Sequence, residues 1–139
     1  MKMSFGKWTK IFLLTFCFVL SVLGFMIKLP SVFRHYDKEL HAAFYFVAAA
    51  FLNLLFANKN IIRHIVIFGC LLLFGICIEH AQAYSNKLFH VKFHGRYDPE
   101  DVKSNLKGLA GFSILWFVVV LVLFMYNKLV VTKTVENNT

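Results

Sequence analysis

The chain alternates between long apolar runs and short polar interruptions. A first apolar run extends from Ile11 to Ile27 and is closed by Lys28 and the helix-ending Pro30. A second runs from Leu40 to Ala57, where Asn58-Lys59-Asn60 supplies polar turn residues. The third begins at Ile61 or Ile65 and reaches Ile78, with Glu79 at its end; the fourth runs from Leu109 to Tyr126 and is followed by Asn127-Lys128. Each approaches the roughly 20 residues that cross hydrocarbon, the second and third being short. No run alternates strictly with period two, as a barrel strand would, and lipid tolerates no unpaired backbone. The pattern predicts an all-α polytopic membrane protein: a four-transmembrane-helix bundle forming a single domain over 1–139, with a polar C-terminal tail at 128–139.

Composition agrees. Of 139 residues, 59% are hydrophobic, and the mean hydropathy of +0.66 is too high for an ordinary soluble domain of this length. The net charge is +8, but the lysines and arginines flank the apolar runs and form no continuous stripe. That distribution suits anionic lipid headgroups and gives no reason to expect nucleic acid as a partner. Cys17, Cys70 and Cys77 all lie inside apolar runs, are odd in number and form no CxxC, so they read as small packing residues.

The basic start, with Lys2, Lys7 and Lys10, resembles the n-region of a signal peptide. The apolar stretch behind it is long for one, however, and no A-x-A site ends it, so a retained helix is expected. The same lysines put the first helix start, and with four spans both termini, in the cytoplasm. The remaining charges do not decide orientation: Lys59, Arg63, Lys128 and Lys133 join them inside, while Lys28, Arg34, Lys38, Lys87, Lys92, Arg96, Lys103 and Lys107 fall outside.

Ionisable groups near hydrocarbon cost several kcal/mol, by roughly the lower of the published scales, so they usually have partners or a task. Three groups stand out. Asp37, His41 and Tyr45 are spaced four apart and share one helix face. Asp37 alone reads as a helix cap, whereas the three together read as a stripe facing neighbouring helices. Gly75, Glu79 and Gln82 form a second stripe, with Gly75 small enough for close backbone approach. In the third, Asp98 fits an N-cap, Pro99 the first helical position and Asp101 the third. Asp101, Asn105 and Gly108 continue as a stripe into the membrane, with Gly111 beyond them. Lys103 and Lys107 fall on the opposite side, where they snorkel to headgroups. Arg96 is the natural cationic partner for Glu79 or Asp101. Alternating helix direction brings all three groups to one membrane face, whichever way the chain is inserted. His90 and His94, in a loop from Ala83 to Tyr97, lack a third ligand at fixed spacing, so no metal or other cofactor is expected.

In this order the three motifs resemble the VanZ-like family of small bacterial membrane proteins, whose pattern is D-K-x-x-H-x-x-x-Y, G-x-x-x-E-x-x-Q and R-x-x-D-x-x-D-x-x-x-N-x-x-G-x-x-G. Here they stand as Asp37-Lys38, His41 and Tyr45; Gly75, Glu79 and Gln82; and Arg96, Asp98, Asp101, Asn105, Gly108 and Gly111. The last is tighter in this chain, R-x-D-x-x-D. Lys103, Lys107 and His80 stand where the family more often has apolar residues. The likeness covers about 37–125. It implies a bacterial cytoplasmic (inner) membrane protein of the cell envelope, in a family named for teicoplanin (glycopeptide antibiotic) resistance.

Three functions fit these residues. The polar cluster binds a lipid headgroup or a lipid-linked wall intermediate through charge-assisted bonds, so that membrane lipids are the partners. Alternatively, His41, Glu79 and Asp101 serve an intramembrane lipid-headgroup hydrolase or transferase, although no nucleophile motif or phosphate-cradling loop accompanies them. As a third reading, the same groups only pack the bundle. Homo-oligomerisation is left open by the sequence.

Overall fold

In a computed structural model, residues 6–26, 31–90 and 97–136 are described, with the side chains of 31, 33, 34 and 132–136 left aside. Among these residues lie four long helices: α1 (Lys7–Met26), α2 (Asp37–Leu52, continued by a π-helical turn Asn53–Ala57), α3 (Ile61–Phe89) and α4 (Pro99–Glu136). All four are long and apolar enough to cross a membrane, the architecture of a multi-pass membrane protein. A short 3₁₀ helix, Ser31–Tyr36, precedes α2.

The core is built from helix stripes. His41, Tyr45, Ala49 and Asn53 recur every four residues and form the buried face of α2. Facing them on α4 are Ser104, Asn105, Gly108, Leu109 and Phe112. The two helices run parallel and nearly touch where Gly108 lies against the Ala42 carbonyl; a Cβ there would also stand 2.9 Å from the Ala42 carbonyl carbon. Lipid tails are as apolar as leucine, so such close backbone packing, rather than escape from water, holds membrane helices together. α3 is antiparallel to both and contributes His64, Ile67, Leu71, Gly75, Ile78 and Glu79.

α1 buries no residue and is the loosest member. It is held at one end by Gln82, whose Nε2 donates to the Phe25 carbonyl (2.7 Å), and midway by the Phe18–Phe74 ring pair (5.6 Å). At its other end the Lys10 ammonium donates to the Leu55 carbonyl (2.8 Å). That carbonyl belongs to the π-helical turn. Arg63 Nη1 donates to the next one, Phe56 (3.1 Å), so two cations satisfy acceptors at the C-terminal end of α2, where the helix dipole also favours positive charge. Asn58, at φ 44°, ends the turn in the left-handed conformation, and the Asn60 side chain caps α3 by accepting from Arg63 N (3.0 Å).

Two boundaries differ from the sequence reading. α3 does not end at Ile78 but continues ten or so residues to Phe89, with His90 in the left-handed conformation after it. Residues 83–89, expected as loop, are therefore helical; Ala81, Ala83, Ser85 and Leu88 are compatible with a helix that projects past the hydrocarbon. At 1.5 Å per residue α3 is about 43 Å long against a core of about 30 Å. α4 likewise continues past Tyr126 to Glu136, so most of the polar C-terminal segment is helical.

Candidate functional site

One end of the bundle gathers the start of α2, the Glu79 level of α3 and the start of α4. Tyr36, not Asp37, is the N-cap of α2 and makes no side-chain cap bond, so the expected capping role of Asp37 is not observed. Asp37 is instead the first helical residue, with an oxygen 3.9 Å from His41 Nε2. At α4 the expected cap is present: Asp98 Oδ1 accepts from Glu100 N (2.9 Å), and the Asp98 carbonyl accepts from Asp101 N (3.1 Å).

His41 Nδ1 and Asn105 Oδ1 lie 2.9 Å apart, joining α2 to α4 through a buried pair. An amide oxygen only accepts, so this contact places the ring proton on Nδ1. His41 Nε2 then presents a lone pair towards the carboxylates. One ligand atom each from Asp37, His41 and Asp101 lies within 4.8 Å of the other two. These three residues could hold a cation. His90 terminates α3, and His94 lies outside the described residues.

Below them the layer is closed by Tyr45, Gly75, Glu79 and Asn105. Tyr45 is 0% exposed, Glu79 2% and Asn105 1%. Gly75 is needed for this: a Cβ there would sit 2.7 Å from Asn105 Nδ2 and 2.9 Å from the Tyr45 hydroxyl. Glu79 Oε2 accepts a long bond from Asp98 N (3.4 Å), which ties α3 to the α4 cap. Its other oxygen, Oε1, and the Tyr45 hydroxyl are buried without a hydrogen-bond partner. Asp101 and His41 are the electrostatic neighbours of Glu79. Glu79 thus points into the bundle and lies in mid-helix rather than at a helix end.

Of the sequence-predicted residues, Asp37, His41, Tyr45, Glu79, Asp98, Asp101 and Asn105 share this layer. Gln82 stands at its edge, bonded to α1, whose Phe25 ring packs 5.1 Å from the His41 ring. Arg96, expected to pair with Glu79 or Asp101, lies outside the described residues. Gly75 and Gly108 are close-packing positions, whereas at Gly111 a Cβ would meet only the Phe46 ring at an ordinary 3.7 Å. Lys103 and Lys107 are exposed on the far side of α4, Lys103 bridging to Glu100 (2.6 Å).

A second polar cluster escaped the sequence reading. Asn53 Oδ1 lies 2.7 Å from His64 Nδ1, and His64 Nε2 lies 3.1 Å from Ser113 Oγ. The His64 ring also stacks on Trp116 at 4.2 Å, tilted by 5°. The signal was present: Asn53 continues the spacing of four through His41, Tyr45 and Ala49. Asn53 Oδ1 and Nδ2 and both His64 ring nitrogens have partners within the fold, which marks the cluster as packing.

Comparison of the chain with protein-family models, curated proteins and solved structures matches nothing in any of the three.

Proposed function

We propose that this chain is a VanZ-like protein of a bacterial cytoplasmic membrane, with both termini in the cytoplasm, that binds the headgroup of a lipid or lipid-linked wall intermediate in its polar layer. The observation that carries the reading is the pair of buried, unpartnered groups, Glu79 Oε1 and the Tyr45 hydroxyl. A buried polar group without a partner costs about 1–3 kcal/mol, more if charged, so native proteins keep few of them without use. A headgroup carrying an amine or hydroxyl beside a phosphate has what both lack: a donor for Glu79 and an acceptor for Tyr45. The N-termini of α2 and α4 lie at this same end of the bundle, and exposed Lys38 stands next to Asp37 at the start of α2; both features favour a phosphate.

Binding of a lipid-linked wall precursor would alter glycopeptide susceptibility. The test is expression of wild type and Glu79→Gln at matched membrane abundance in a glycopeptide-sensitive Gram-positive host. Raised teicoplanin tolerance in wild type alone is expected; equally raised tolerance in both overturns the role of the Glu79 layer, and none in either overturns the envelope role.

The convergence of Asp37, His41 and Asp101 favours one further reading, hydrolysis of a lipid phosphate with His41 as general base. Incubation of purified protein with lipid phosphates separates the two. Unchanged lipid supports binding, and released phosphate supports catalysis.

A further inference from the structure

We propose that Asp37, His41 and Asp101 form a divalent-cation site of the Mn²⁺ or Zn²⁺ class, with Asn105 as the outer residue that orients the histidine. The first ground is distance. The three ligand atoms lie within 4.8 Å of one another, with Asp37 Oδ1 3.9 Å from His41 Nε2, whereas ligands bonded at about 2.0–2.2 Å to one ion stand about 3–3.8 Å apart. The set must therefore draw in around an ion, and Asp37, at the half-exposed edge, is free to move.

The second ground is the kind of atom that converges. With its proton held at Nδ1 by Asn105 Oδ1, His41 offers a lone pair at Nε2, and both carboxylates offer only lone pairs. Three electron-pair donors gathered beside hydrocarbon repel one another unless a proton or a cation lies among them, and a divalent ion satisfies all three at once. A ligating histidine that passes its other N–H to an oxygen acceptor is the usual outer-shell arrangement.

The third ground is independent of the cluster. Glu79 adds another carboxylate to the same layer, 98% shielded from solvent by its 2% exposure, with Oε1 unpartnered and with Asp101 and His41 as electrostatic neighbours. Among the described residues no Lys or Arg stands within 4.0 Å of Asp101 or Glu79, and the neutral His41 ring, 3.9 Å from Asp37, adds no positive charge. Lys38 acts on Asp101 only at longer range. Among the described residues the carboxylates of the layer outnumber the cationic groups placed against them, and a divalent ion redresses this.

Two carboxylates and one imidazole suit a hard-to-borderline metal, and three protein ligands leave positions open for an exogenous oxygen. An ion held here would present positive charge to a headgroup phosphate. Metal binding itself does not depend on that ligand, so the two proposals fail separately.

The test is metal content and affinity of the full-length protein in detergent, stripped with chelator and titrated with Mn²⁺ and with Zn²⁺. Wild type is expected to take up one equivalent of at least one of them. Asp101→Asn and His41→Gln should each weaken uptake by about tenfold or more, and Asn105→Ala by about 10–100-fold through lost orientation of the ring. Glu39→Gln, on the exposed face of α2, and His90→Ala should bind as wild type does. If the ligand variants do not fold, Mn²⁺-loaded wild type still decides: pulsed electron paramagnetic resonance should show imidazole nitrogen coupling. Sub-stoichiometric uptake of both metals by wild type, undiminished uptake by Asp101→Asn, or Mn²⁺ without nitrogen coupling overturns the site.

Discussion

Gly108→Ala is the sharpest probe of how the layer is held. The added Cβ would collide with the Ala42 carbonyl oxygen and stand 2.9 Å from its carbon and 3.1 Å from Ala42 Cα. All three are backbone or backbone-bound atoms of another helix, so no side chain can rotate away. α2 and α4 must separate by roughly 1 Å to restore ordinary contact, and a gap of that size forfeits about a quarter to a half of each facing dispersion contact. Overpacking of this kind costs about 1–3 kcal/mol. The same withdrawal stretches the His41–Asn105 contact from 2.9 Å beyond hydrogen-bonding range, adding about 1 kcal/mol. Better helix propensity returns about 1 kcal/mol. The net expectation is a loss of about 1–3 kcal/mol, read as a lower thermal midpoint in detergent. Gly111→Ala is the matched control, because its Cβ meets only the Phe46 ring at 3.7 Å, and it should be neutral or mildly stabilising. Equal midpoints for the two variants would show that α2 and α4 do not pack as described.

Other consequences follow from single groups. Tyr45→Phe removes a hydroxyl that is buried without a partner, so stability should rise or stay level, by about 0–2 kcal/mol, while retained lipid falls; a clear loss of stability would mean the hydroxyl is satisfied within the fold. His64→Ala breaks contacts to Asn53 and Ser113 and a stacked ring pair, and should cost about 2–4 kcal/mol in unfolding experiments without changing the lipid bound per folded molecule. A variant that unfolds no more easily would remove the packing role of that cluster. Gln82→Ala deprives the Phe25 carbonyl of its donor and should loosen α1, raising amide hydrogen exchange near residues 22–26; unaltered exchange there would show α1 is anchored otherwise.

The fold was legible because membrane-length apolar runs leave few alternatives, and helix is the one local structure that satisfies its own backbone in lipid. The site was legible as three stripes because residues four apart share a face, which put Asp37, His41 and Tyr45 together and set Lys103 and Lys107 apart from Asp101 and Asn105. Hydropathy failed where helices leave the hydrocarbon: α3 continues from Glu79 to Phe89 through residues polar enough to resemble a loop. It also hid packing detail. Gly75, Gly108 and Gly111 look alike in sequence, yet only the first two face a neighbour that a methyl group would strike. The Asp37–His41–Asp101 grouping joins residues about sixty positions apart on two helices, and periodicity within one helix cannot reveal it.

The most direct measurement is native mass spectrometry of the protein extracted mildly from bacterial membranes, wild type beside Glu79→Gln. Glu79→Gln keeps the shape of the side chain and the Asp98 contact while replacing the unpartnered carboxylate oxygen. Wild type should retain a defined phosphate-bearing lipid through delipidation, and Glu79→Gln, folded and equally abundant, should lose most of it. The same lipid held equally by both, or no lipid held by either, would contradict headgroup binding in the polar layer.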